Sequence, residues 1–253
     1  MGATARDILL THVFDLPVQR ATMDIDFAIA LEDWHQLEQL KNTLTSSGDF
    51  YADPNIQSRL YYSQGSRNTR SGYPIDLLPF GGIEQSDHHI AWPPDLAVMM
   101  NVTDYAEVLA ASIAVEVAPD QTIHVASLAG LLVLKLFAWI DRGRTNAKDA
   151  KDIYQIMRNY ARAGNSDRLY NEEIELLEAA EYDPDLAGIR LLGRDVLKLA
   201  RSETVIKILG ILEDPILAQR LESNMLSNNP DQAEELQKVK QAIKHFCIGL
   251  KLD

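Results

Sequence analysis

The chain has 253 residues, 46% of them hydrophobic and 24% charged, which is enough for one large or two modest domains with a real core. Its net charge of −13 at pH 7 argues against general DNA coating and against binding to anionic membranes, while leaving room for a local basic patch. One cysteine excludes an internal disulfide framework; with no signal sequence, lipidation motif or apolar run of membrane-spanning length, the expectation is a soluble protein of the reducing cytoplasm.

The chain opens on Gly2-Ala3-Thr4-Ala5-Arg6-Asp7-Ile8-Leu9-Leu10, a glycine turn leading into an amphipathic helix. Free N–H groups and the helix dipole at such a start favour an anion, so Gly2, Ala3 and Thr4 form a candidate phosphate cradle. The plainer reading is a helix N-terminus and nothing more. About twenty residues on, Met23-Asp24-Ile25-Asp26-Phe27-Ala28-Ile29-Ala30 reads as a strand in which Asp24 and Asp26, two apart, project from one face. Paired carboxylates suit a hard divalent cation such as magnesium or manganese, and a paired-metal site assists in-line displacement at phosphorus. An isolated Asp-x-Asp is also a common solvated strand face.

Residues 34–44 carry helical spacing at Trp34, Leu37, Leu40 and Leu44. Arg59-Leu60-Tyr61-Tyr62 and residues 73–80 read as strands around a Gly/Ser/Asn/Arg hairpin at residues 64–72. Asp76 is the only charge in the second of these strands, and burying it calls for a cation or hydrogen-bond donors. A structural arginine or an exposed sheet edge satisfies it equally well. Adjacent histidines point different ways and no Cys/His set has zinc spacing, so His88-His89 reads as a loop. Short strands are expected near residues 97–100, 114–117 and 123–125, giving an α/β half with a small mixed sheet.

From Ser127 the chain turns helical, with breaks at 164–166, 183–185, 214–215 and 227–230. Lys135 is the only charge between Leu128 and Ile140, a run too short to cross a bilayer, so it belongs to a buried helix and its lysine either snorkels to the surface or meets a partner. Lys148 and Asp152, four apart, have the spacing of a surface ion pair. Between Lys135 and Arg168 eight Lys/Arg face four Asp, a concentration of positive charge suited to a triphosphate or an RNA end, and equally to a solvated helical face. Cys247 reads as a passive residue of the last helix. The expected organisation is α/β (α+β): an α/β domain over 1–126 and an all-helical bundle over 127–253.

Gly2-Ala3, Asp24-x-Asp26 and Asp76 together resemble the nucleotidyltransferase superfamily with the polymerase-beta-like fold, in which a glycine motif, a two-acid strand and a third acid on a neighbouring strand form the active site. Within it the chain is similar to the AbiEii/AbiGii toxin group of type IV toxin–antitoxin systems. Residues 127–139 with Asp141-Arg142, and Lys148-Asp149-Ala150-Lys151-Asp152-Ile153, look like that group's lysine helix and its basic-Asp-x-x-Asp helix. The resemblance covers roughly residues 1–160. It implies that Asp24, Asp26 and Asp76 bind Mg2+ (or Mn2+). It also implies that Lys135 contacts the nucleotide, that Arg142 joins the pocket, and that Asp149 or Asp152 orients Lys135 or completes that pocket. A nucleoside triphosphate is the implied substrate, RNA or a protein hydroxyl the implied acceptor, and a cognate antitoxin the implied partner.

The chain departs from the pattern at Ala3, where the superfamily usually has Ser or Gly, so a phosphate contact there falls to backbone N–H groups or to Thr4. The opening also resembles the Gly-Gly-x-x-Arg-Asp start of transfer-RNA nucleotidyltransferases, whose later arginine motifs are not found. Because the fold normally delivers its glycine turn from a strand, a turn at residue 2 predicts a chain that starts late. Met1 would then stand where a strand valine ends, and an in-frame stop codon just upstream would refute this. The expected activity is transfer of a nucleoside monophosphate to a hydroxyl. The alternatives are a small-molecule nucleotidyltransferase and a non-catalytic nucleotide- or partner-binding protein on the same fold.

Overall fold

The structure, a computed structural model, describes residues 1–17, 22–63, 72–226 and 232–251. It is a mixed α/β protein whose chain falls into two compact units, Met1–Ala5 with Gln19–Ala106, and Arg6–Val18 with Glu107–Asp253. The first helix, α1 (Gly2–Asp7), runs into a π-helical stretch, Ile8–Val13.

The first unit is built on a four-stranded sheet of order β1-β4-β3-β2, made of β1 (Ile25–Leu31), β2 (Phe50–Ala52), β3 (Arg59–Tyr62) and β4 (Tyr73–Gly81). β1 runs parallel to β4, and the other two pairings are antiparallel, so the sheet is mixed as expected. Between β1 and β2 lies α2 (Trp34–Ser46), whose N-cap Asp33 accepts the Gln36 N–H at 3.0 Å. Its apolar stripe buries Leu37, with Trp34, Leu40 and Leu44 beside it, against Leu31, Leu60 and Leu77. Because side chains alternate, Asp26, Asp76 and Arg59, each an odd number of positions before the core residues Leu31, Leu77 and Leu60, stand on the other face. A two-stranded ribbon, β5 (His89–Ala91) with β6 (Met99–Asn101), adds Ile90 to the core. A short helix, α3 (Tyr105–Ala110), follows.

In the second unit a hairpin, β7 (Ile113–Ala118) and β8 (Gln121–Val125), precedes α4 (Leu128–Arg142), which Ser127 caps by accepting the Gly130 N–H. α4 is buried almost all round, including Lys135, and packs on α5 (Lys148–Asn159). Then come α6 (Ser166–Asn171), α7 (Ile174–Ala179), α8 (Pro184–Leu199), α9 (Ser202–Glu213), α10 (Pro215–Met225) and α11 (Gln232–Gly249). Asp183 and Asp214 cap the helices that start at the two Asp-Pro breaks. α8 and α11 approach so closely that a Cβ on Gly249 would overlap the Arg190 carbonyl.

Several boundaries differ from expectation. β1 begins at Ile25, leaving Asp24 just ahead of it, and the strand read at 97–100 is Met99–Asn101. β2, β5 and α3 are additional. His88-His89 is not a plain loop: His89 opens β5, while His88 takes a left-handed backbone and faces Glu84 at 3.2 Å. The hairpin Ile113–Val125 goes with the helical unit, although it was expected in the α/β half. The 64–72 hairpin, apart from Gly72, and the 227–230 break lie outside the described residues. Among those described, no helix is long and apolar enough to cross a membrane.

Burial pushes the Cys247 thiol up to about 11, so it is protonated at neutral pH. Its reaction with a thiol reagent at pH 8 is expected to be at least about tenfold slower in the folded chain than in urea, where the thiolate fraction is larger. Equal rates would contradict this.

Candidate active site

The acidic site grows from the pairing of β1 and β4. Their register sets Asp26 directly beside Asp76 on one face, and β3 sets Arg59 beside Asp76 on the other side, so the three form a row across the sheet. Adjacent like charges repel, and the arginine offsets them. Arg59 Nε donates to Asp76 Oδ1 at 2.8 Å and its Nη2 to Oδ2 at 2.7 Å, a forked pair with side chains 24% and 15% exposed. These bonds raise the Arg59 guanidinium further above its ordinary value. Of the readings open for Asp76, pairing with an arginine is the one observed.

The chain start lies against this row. The Met1 ammonium donates to the Asp26 carbonyl at 2.6 Å, and Thr4 Oγ1 donates to the Asp24 carbonyl at 2.7 Å. The Asp24 carboxylate accepts from the Thr22 hydroxyl. Gly2 has φ +67, and a Cβ built there would overlap Asp26 Oδ2. Only glycine combines that backbone with so close an approach. Gly2→Ala is accordingly expected to destabilise the fold by about 1–3 kcal/mol through strain and displacement of Asp26, read as a lower urea midpoint. An unchanged midpoint would refute the contact.

The lysine-helix residues form their own group in the second unit. The ions alternate in a chain, Asp7, Arg6, Asp152, Lys135, Asp149 and Arg142. Arg6 is fully buried and donates to both Asp7 and Asp152. Lys135 Nζ donates to Asp152 Oδ2 at 2.5 Å and lies 3.7 Å from Asp149 Oδ1. Arg142 forks onto Asp149 at 2.6 and 3.0 Å. Lys135 is 6% exposed and does not snorkel, and Asp152 faces buried cations instead of making the surface pair spaced for Lys148.

Two residues essential to these groups, Arg59 and Arg6, escaped the sequence analysis. Their signal was a single cation in each element: Arg59 at the head of an otherwise uncharged strand, and Arg6 beside Asp7 in a short helix. The acids of the first unit offer only oxygen donors, the set that suits magnesium. Among the described residues no three His, Cys, Asp or Glu side chains are gathered as a metal-ligand group. A protein-family model described as the nucleotidyl transferase AbiEii toxin of type IV TA systems matches residues 2–245. No curated protein matches the chain.

Proposed function

The chain belongs to the AbiEii family of nucleotidyltransferase toxins, and from that premise we propose a metal-dependent transfer of a nucleoside monophosphate from a nucleoside triphosphate to a hydroxyl of RNA or protein. The observation that carries this reading is the placement of Asp26 beside Asp76, with Gly2 packed on the Asp26 carboxylate. Bound magnesium or manganese would neutralise the phosphate oxygens and favour displacement at phosphorus. Asp24, Asp26 and Asp76 would hold the cation, and Asp76, freed from Arg59, would also accept the proton of the attacking hydroxyl. The acceptor oxygen then bonds to the α-phosphorus while the bond to the β-phosphate oxygen breaks, so pyrophosphate leaves. Backbone N–H groups of Gly2, Ala3 and Thr4 meet the phosphates; the Thr4 hydroxyl already donates to the Asp24 carbonyl. On the family resemblance, Lys135 serves the nucleotide, with Arg142, Asp149 and Asp152 fixing its position. The setting is cytoplasmic, with a cognate antitoxin as partner.

A second reading, a nucleotide-binding protein without turnover, is favoured by one observation: both oxygens of Asp76 accept from Arg59. Incubation with each α-labelled nucleoside triphosphate, magnesium and total RNA separates the readings. Label in RNA or in the protein identifies the acceptor class. Label in neither removes the RNA and protein acceptors and leaves a small-molecule enzyme or the binder.

A further inference from the structure

The row Asp26–Asp76–Arg59 holds two acids and one cation, and the cation occupies the acid that the proposed metal also needs. Resting on the reading above, we infer that Arg59 is a built-in competitor of the metal: its fork keeps Asp76 closed, and metal binding at the third acid requires the fork to open.

Three observations support this. The fork takes one lone pair from each Asp76 oxygen at normal hydrogen-bond distance, with the pair partly screened from water. A dication bound to Asp76 would stand beside a guanidinium that cannot lose its charge, so the two compete for the carboxylate. Arg59 also has somewhere to go. Tyr61, two residues along the same strand, is on the same face, and its hydroxyl donates to Asp53 Oδ2 at 2.8 Å. Asp53 lies opposite Arg59, donating its N–H to the Arg59 carbonyl at 3.0 Å, and its carboxylate is held by the N–H groups of Asn55 and Ile56 in the turn before β3. A released guanidinium therefore passes from one carboxylate toward another.

A protein that binds only in its open form has its apparent dissociation constant raised by the reciprocal of the open fraction. Removing the fork lifts that penalty. The test is Mn2+ titration of the full chain, followed by electron paramagnetic resonance and by melting temperature, with no substrate present. Arg59→Gln is expected to bind Mn2+ about tenfold more tightly than the parent, matching an open fraction of about one tenth. Without metal it should melt lower, since Asp26 and Asp76 lose their counter-ion, and Mn2+ should restore more of that loss than it adds to the parent. A folded Arg59→Gln chain with unchanged or weaker Mn2+ affinity would overturn the inference. If Arg59→Gln does not fold, Arg59→Lys decides the matter, because an ammonium cannot fork across both oxygens. It should tighten binding at least about threefold under the same open-fraction relation, and no change overturns the inference. The parent reading fails differently: Mn2+ binding absent from every variant, or indifferent to Asp24→Asn and Asp26→Asn, overturns the metal site itself and the competition with it.

Discussion

Asp152→Ala is expected to lower the stability of the chain by about 3–5 kcal/mol, the cost of removing one partner from a buried ion group. Asp152 is 3% exposed and accepts from both Arg6 and Lys135, which are themselves 0% and 6% exposed. Its removal would leave two desolvated cations facing each other, with Asp7 on Arg6 and Asp149 3.7 Å from Lys135 as the remaining acids. Asp152→Asn keeps the shape and one acceptor oxygen, so a smaller loss is expected, and the difference between the two variants isolates the charge from the packing. Urea unfolding followed by circular dichroism measures both. A loss below about 1 kcal/mol for Asp152→Ala, the range of an exposed ion pair, would mean that water reaches the group.

Asp26→Asn is expected to leave the fold intact while lowering nucleotidyl transfer by about 10³-fold, because cation-borne stabilisation of the transition state is worth several kcal/mol and each ~1.4 kcal/mol is a factor of ten. Asparagine preserves the volume against Gly2 and the backbone carbonyl that the Met1 ammonium contacts. What it removes is a negative oxygen. Rates at saturating nucleotide, beside melting curves of both proteins, check this. A near-normal rate in a folded Asp26→Asn protein would take Asp26 out of the chemistry and leave it a structural neighbour of the glycine turn.

Local signals explain what the sequence revealed. The alternation of residues 23–30, the helical stripe of Trp34, Leu37, Leu40 and Leu44, and the all-apolar run around Lys135 each arise within one element and were readable from spacing. The Asp-Pro pairs marked breaks in the helical run, and a helix starts at each because proline tolerates the first helical turn and aspartate caps it. Three-residue strands such as β2 and β5 are too short to show a period, and six-residue α3 offers less than two turns. The partners of the charged residues were hidden for another reason. Arg6 meets Asp152 across 146 positions, and Arg59 meets Asp76 across the register of two strands, a pairing fixed by the sheet and not by any local spacing. The sequence therefore pointed to Asp76 and Lys135 as buried charges in need of partners, and the fold supplied them.

The measurement that tests the central claim most directly follows α- and γ-labelled nucleoside triphosphate in parallel, with magnesium and total RNA, for the chain and its Asp24→Asn/Asp26→Asn variant. A metal-dependent nucleotidyltransferase places the α-label on an acceptor, releases the γ-label as pyrophosphate, and does neither in the variant or in EDTA. Transfer of the γ-label, or α-label transfer that persists without the two carboxylates, would contradict the account.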